Sequence, residues 1–228
     1  VPGIFVMIYN LFAVSHIPGK ATADVLPPIV ADAIRQLSWP KSMRWADGSF
    51  RYVRPLHRIN VVFDGVVLAG AFDLGGGLGE RAFTAETEGH RFMARGPIAM
   101  RDFAAYKADL LAHNVILDPK ARQAKIEAGL EQAAGNAGLS VVADPGLLAE
   151  VTGLVEWPVV YIGRIDDEFM DVPREVLTTS MREHQKYFAL ETGDGSFAPN
   201  FAVVANRETA DGGVAVSYTH LTLPTNGC

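Results

Sequence analysis

The stretch Gly153–Leu190, GLVEWPVVYIGRIDDEFMDVPREVLTTSMREHQKYFAL, limits the fold more than any other part of the chain. Val159–Ile162 is a β-branched and aromatic run of buried-strand length. An acidic loop, Asp166-Asp167-Glu168, follows it. Pro173 can then open a helix, because a first-turn position has no N–H bond to lose. Val176, Ser180 and His184 share one face of that helix, with Leu177 and Met181 beside it. A strand over Tyr187–Leu190 completes the order strand, turn, helix, strand. The helix brings Arg182, His184 and Lys186 to one neighbourhood. Residues two apart do not share a helix face, so the three converge only if the helix unwinds near His184. Strand-like alternation then puts His184 and Lys186 on one side and Tyr187 on the other. The helix dipole favours cations there, which leaves their donors for phosphate or ribose oxygens.

Elsewhere the punctuation is regular. Val30, Ala33, Ile34 and Leu37 recur at helical spacing, which predicts a helix from Pro27 with Pro27-Pro28 in its first turn. Ile59–Phe63 and Val66–Phe72 flank Asp64-Gly65, a two-residue hairpin signal. Met100–Ala112 reads as an amphipathic helix with Phe103, Tyr106 and Leu110 inward, and Val115–Leu117 as a short strand. Asp118-Pro119 and Asp144-Pro145 each pair an Asx cap with a first-turn proline. The first of these helices ends at Gly138, and Leu139–Ala143 reads as a strand before the second. Gly193-Asp194-Gly195 is a hairpin turn before the strand Phe197–Ala205, whose Pro199 suits a sheet edge. The fold class expected is α+β, a mixed or mainly antiparallel sheet with packed helices. Strands are expected near 57–73, 158–163, 186–191 and 197–205, and helices near 27–37, 101–113, 119–137, 145–153 and 173–184. Hairpin connections in place of regular βαβ alternation exclude a doubly wound sheet.

The 228 residues are 49% hydrophobic and 20% charged, ordinary for a soluble globular protein. With a net charge of −6 there is no global basic field, so any RNA contact has to be a local patch. The single cysteine, Cys228, supplies neither a disulfide framework nor a Cys-based zinc site, which fits a reducing, cytoplasmic setting. Ile4–Val14 is apolar but short of the ~18–20 residues a membrane span needs, and it lacks a basic flank. No membrane association is expected. The chain starts at Val1 and reads as a fragment with an atypical start over 1–18. Residues 214–228, without periodicity, read as a non-native tail.

EVLTTSMREHQKYFAL, GLVEWPVV and NFAVVANRET, with PKSMRW, RPLH and GHRF in collinear order, resemble the beta subunit of the bacterial two-subunit glycyl-tRNA synthetase. The resemblance covers about 19–213, possible subdomains splitting near 98–100, and only an early part of the longer family subunit. It implies a piece of a glycine–tRNA ligase that binds tRNA-Gly and completes a heterotetramer. The alpha subunit would activate glycine with ATP and Mg; no cofactor is implied for this stretch itself. An editing role is suggested only by analogy with a related module of the phenylalanyl enzyme. A different possibility is a purely architectural module that holds the alpha subunit without touching RNA.

No catalytic residue is expected. HIGH and KMSKS signatures, a G-x-S-x-G elbow and an H-E-x-x-H pair are all absent from the sequence. Gly75–Gly79 resembles a phosphate cradle but lacks the Gly-Lys-Ser/Thr ending and follows a hairpin strand, so a loop is the better reading. Asp166, Asp167 and Glu168 read as a solvated turn, not a metal site. The RNA-binding candidates are Lys41 and Arg44, set between Trp39 and Trp45; His90 and Arg91, presented by a turn after Gly89; and Arg182, His184, Lys186 and Tyr187. Against these stand plain structural roles: tryptophans capping a core edge, His184 satisfying a hydrogen bond, and Lys186 packing its stem on Tyr187.

Overall fold

In the computed structural model, which describes residues 18–208, the chain divides into two units between Thr84 and Ala85, ahead of the 98–100 expected. The expectations for the atypical start and the C-terminal tail lie outside the described residues, apart from Pro18.

The first unit begins with α1, Thr22–Gln36. This helix starts before the expected Pro27, so Pro27 and Pro28 sit inside it and not in its first turn. Their missing N–H groups leave the carbonyls of Ala23 and Asp24 without helical partners. Both residues are exposed, so water can take those bonds. Short strands follow: β1 (Ile59–Asn60), β2 (Val62–Phe63), β3 (Val66–Val67), β4 (Ala71–Asp73) and β5 (Glu80–Thr84). The Asp64-Gly65 hairpin is present between β2 and β3. Both turn residues have positive φ, 50° and 74°, the backbone that an Asp-Gly pair tolerates in a two-residue turn. The long paired strands expected here are instead divided: β1, β5 and β4 form a separate sheet, parallel between β1 and β5 and antiparallel between β5 and β4. Ala31, Ile59, Leu68, Phe72 and Phe83 are among the residues of its core.

The second unit opens with a hairpin of β6 (Glu86–Glu88) and β7 (Pro97–Ala99), followed by α2 (Phe103–Ala112). Asp102 caps α2 by accepting from the Ala105 N–H at 2.8 Å. Leu110 is buried as expected, but Phe103 is 72% exposed, because a first-turn residue overhangs the surface its helix covers. Val115–Leu117 makes no strand. Its carbonyls are taken by Arg122, whose Nη1 donates to Ile116 at 2.7 Å and Leu117 at 3.0 Å. Both Asp-Pro helices form as read. Asp118 caps α3 (Pro119–Asn136) through Lys120 N–H, and Asp144 caps α4 (Pro145–Leu154) through Leu147 N–H. Gly138 closes α3.

Between these helices lies β8, Ser140–Val141, shorter than expected. With β9 (Val159–Arg164), β10 (Phe188–Glu191) and β11 (Phe197–Ala205) it forms an antiparallel sheet in the order β8-β10-β11-β9. The mainly antiparallel α+β architecture is thus observed. Residues alternate across this sheet as the pleat requires. Phe188, Leu190 and Ala202 face α3 and α4, where Ile126, Leu130, Leu147 and Val151 complete the larger core. Tyr187, Ala189, Phe201 and Val203 face the opposite way, toward Ile165, Leu177 and Met181. Leu177 comes from α5, Arg174–Ser180, and Met181 from the turn that follows it directly; Pro173 is the N-cap of α5 and not within its first turn. Pro199 lies on the central strand β11, not at an edge. The register between β10 and β11 shifts beside it, and this bulge removes the demand for its absent N–H.

Candidate nucleic-acid interface

The cations expected to converge after α5 are held differently from the sequence expectation. The helix does not fray; it widens into a π turn over Met181–Gln185, and Lys186 takes left-handed backbone with φ 60°. Tyr187 N–H then bonds back to Met181 O at 3.1 Å, and the strand begins. Arg182 Nε donates to Asp144 Oδ2 at 2.7 Å, and its Nη1 pairs with Glu183. Lys186 Nζ lies 2.8 Å from Glu150 Oε1. The donors expected to be open for phosphate are therefore engaged by three carboxylates. Asp144 is held below the usual carboxylate range, first by the Leu147 N–H and then by Arg182. Tyr187 is half-buried and stacks on Phe201, centroids 4.3 Å apart and planes within 5°; burial raises its phenol pKa. It serves the core and is not available as a base-stacking platform. His184 is exposed and, among the described residues, has no hydrogen-bond or ion-pair partner.

His90 is likewise not presented. Its ring is 1% exposed. Nδ1 accepts from the N–H groups of Phe92 and Met93, both at 3.3 Å, so the proton sits on Nε2, which donates to Asn206 O. The turn after Gly89 thus points this histidine inward, and the expectation that it faces ligand is corrected. Its neighbour Arg91 is exposed.

What His90 does is join distant motifs. Asn206, at the end of β11, also accepts on its side-chain Oδ1 from the N–H groups of Glu156 (2.7 Å) and Trp157 (3.0 Å). GHRF, the EWP segment and the Asn-Arg step after β11 are fastened at one point. Around it lies a cation–aromatic surface. Phe92 is 60% exposed, and the guanidinium carbons of Arg91 and Arg207 lie 5.9 Å and 5.5 Å from its ring centroid. Nearby, Lys125 Nζ stands 3.5 Å from the Trp157 ring centroid, and burial lowers its pKa. Among the described residues no carboxylate pairs with Arg91 or Arg207. Phe92, Asn206 and Arg207 were not singled out by sequence reasoning, although all three stand within the motifs that carry the resemblance.

In the first unit Lys41 and Arg44 are both exposed. Trp45 packs on the core beside Phe50, and Trp39 meets Tyr52 edge-on at 5.3 Å, so the tryptophans cap a core edge. The glycine loop forms a tight turn, Gly76–Leu78, seated on Asp47. A Cβ at Gly77 would collide with the Asp47 carboxylate, a neighbour that opposes phosphate. Asp167 pairs with Arg164 at 2.7 Å, and no metal-holding cluster of His, Cys, Asp or Glu occurs among the described residues. No helix among them is long and apolar enough to cross a membrane.

A family model described as glycyl-tRNA synthetase beta subunit matches residues 8–218. The chain belongs to that family. The match takes in part of both end segments that the motifs alone left aside. The chain is 51% identical to the glycine–tRNA ligase beta subunit of Rhodospirillum centenum, over 90% of this chain and 31% of that protein. It is 45% identical to the corresponding subunit of Ruegeria sp., over 90% of this chain and 30% of that protein. For Magnetococcus marinus the figures are 41%, 87% and 28%. The chain therefore spans about a third of the length of these beta subunits.

Proposed function

We propose that this chain is the early part of the beta subunit of a glycine–tRNA ligase and contributes to tRNA-Gly binding and to subunit assembly. In the whole heterotetrameric, cytoplasmic enzyme the alpha subunit activates glycine with ATP and Mg, and this region carries no catalytic group of its own. The observation behind the RNA contact is the exposed Phe92 ring flanked by Arg91 and Arg207, neither of them neutralised by a carboxylate. Guanidinium groups hold phosphates while an aromatic face stacks on an unpaired base. Arg91 remains a contact residue from the original candidates, with Lys41 and Arg44 as exposed secondary ones. Arg182 and Lys186 are structural, as are His90 and Tyr187.

The test is tRNA-Gly binding to the assembled alpha–beta enzyme across a salt series. Arg91→Gln and Arg207→Gln should each lower the slope of log affinity against log salt by about one. Unchanged slopes in both variants remove the patch from the RNA interface. The architectural alternative is favoured by one observation, the saturation of Arg182 and Lys186 by Asp144, Glu183 and Glu150. A salt-independent complex with full alpha-subunit binding would support it.

A further inference from the structure

A cavity of about 640 Å³ in the second unit has no role in the RNA contact just proposed. It runs along β8 between α3 and α4. Leu130, Val141, Leu148 and Phe188 line its apolar part, and Glu127 and Glu131, one helical turn apart on α3, stand on its rim. Both glutamates are exposed. Carboxylates over an apolar floor repel phosphate and suit a cationic side chain attached to an apolar one.

The backbone bordering the groove adds a second constraint. β8 is an outer strand of its sheet, and it pairs with β10 through Ser140↔Glu191 and Val141↔Leu190. Val142 N–H bonds to Ala189 O at 3.0 Å, so in an antiparallel ladder the N–H and C=O of Val141 turn away from β10. A sheet edge with an outward donor and acceptor is a template for another strand. A lipid or an apolar small molecule would not use those groups. An extended peptide would use them and could drop alternate side chains into the groove.

We propose that the β8 edge and its groove take an extended segment from the remaining part of the beta subunit, added as a strand beside β8. Its apolar side chains would fill the groove, and a Lys or Arg would face Glu127 and Glu131. The source follows from the lengths: this chain corresponds to 31% of the Rhodospirillum centenum subunit, so most of such a polypeptide lies outside it. A tethered segment meets the edge at an effective concentration of order mM, enough for a short strand that would bind too weakly from solution.

The experiment uses the complete beta subunit assembled with its alpha partner. In hydrogen exchange, the Val141 amide should be slowed on the order of 100-fold or more relative to an unpaired amide. Glu127→Lys combined with Glu131→Lys, on exposed positions, should abolish much of that protection, and full protection in this variant would overturn the role of the two carboxylates. A photo-crosslinking residue at position 127 should capture a beta-subunit peptide from beyond this chain that carries Lys or Arg beside apolar residues. An unprotected Val141 amide overturns the proposal. So does a crosslink to the alpha subunit, to RNA or to no peptide at all. None of these results depends on whether Arg91 and Arg207 contact tRNA.

Discussion

Two places in the second unit gather cations, and they treat them in opposite ways. After α5, Arg182 and Lys186 meet Asp144, Glu183 and Glu150, and the aromatic residue beside them, Tyr187, is turned into the core. At the end of β11, Arg91 and Arg207 meet an exposed aromatic ring, and it is the histidine that is turned inward. The same residue types serve as internal fastening in one case and as an outward-facing surface in the other. Charge clustering in a sequence therefore says little until the positions of the carboxylates are known. Exposed ion pairs contribute only ~0–1 kcal/mol to stability, so the α5 cluster's main effect is to cancel charge.

The sharpest test at the α5 end compares a ring with a cation. Phe188, 3% exposed, packs into the larger core, and Phe188→Ala should cost roughly 3–5 kcal/mol by urea denaturation. A loss below about 1 kcal/mol would mean that this core repacks freely. At the other end, His90→Ala leaves the Phe92 and Met93 N–H groups and the Asn206 carbonyl without their partner. It should cost about 2–3 kcal/mol and also weaken tRNA-Gly binding, although His90 touches no RNA. Full affinity in a folded His90→Ala subunit would separate the buried fastening from the surface and break the contrast.

Lys186 offers a finer comparison. Both Lys186→Ala and Lys186→Gly remove the Glu150 pair, but only glycine relieves the left-handed backbone at φ 60°. The glycine variant should be more stable than the alanine one by about 1 kcal/mol. Neither should change the salt slope of tRNA binding, and a lowered slope would return Lys186 to the interface. The smallest effect concerns pH. Because the folded Asp144 pKa is depressed, its contribution is present above the ordinary carboxylate range near ~4 and is lost as pH falls through the folded value. Asp144→Asn keeps a cap side chain and should flatten that acid limb in a melting-temperature series. An unchanged acid limb would show that Asp144 carries no folding-linked proton.

The sequence alone determined what depends on neighbours in the chain. Asp118-Pro119 and Asp144-Pro145 start helices because each cap and its N–H partner lie within three residues. Asp64-Gly65 makes a hairpin because the two residues tolerate positive φ. The buried alternation of Phe188, Ala189 and Leu190 follows from a period of two. Local spacing did not foresee α1 starting ahead of its prolines or Pro199 lying on a central strand, since solvent and a bulge met those backbone demands. The candidate site was decided only by tertiary structure. His90 and Asn206 are separated by 116 positions, and Arg182 and Asp144 by 38. No local propensity connects such pairs. Whether a cation faces solvent, an aromatic ring or a carboxylate depends on which distant segment the sheet and helices set beside it.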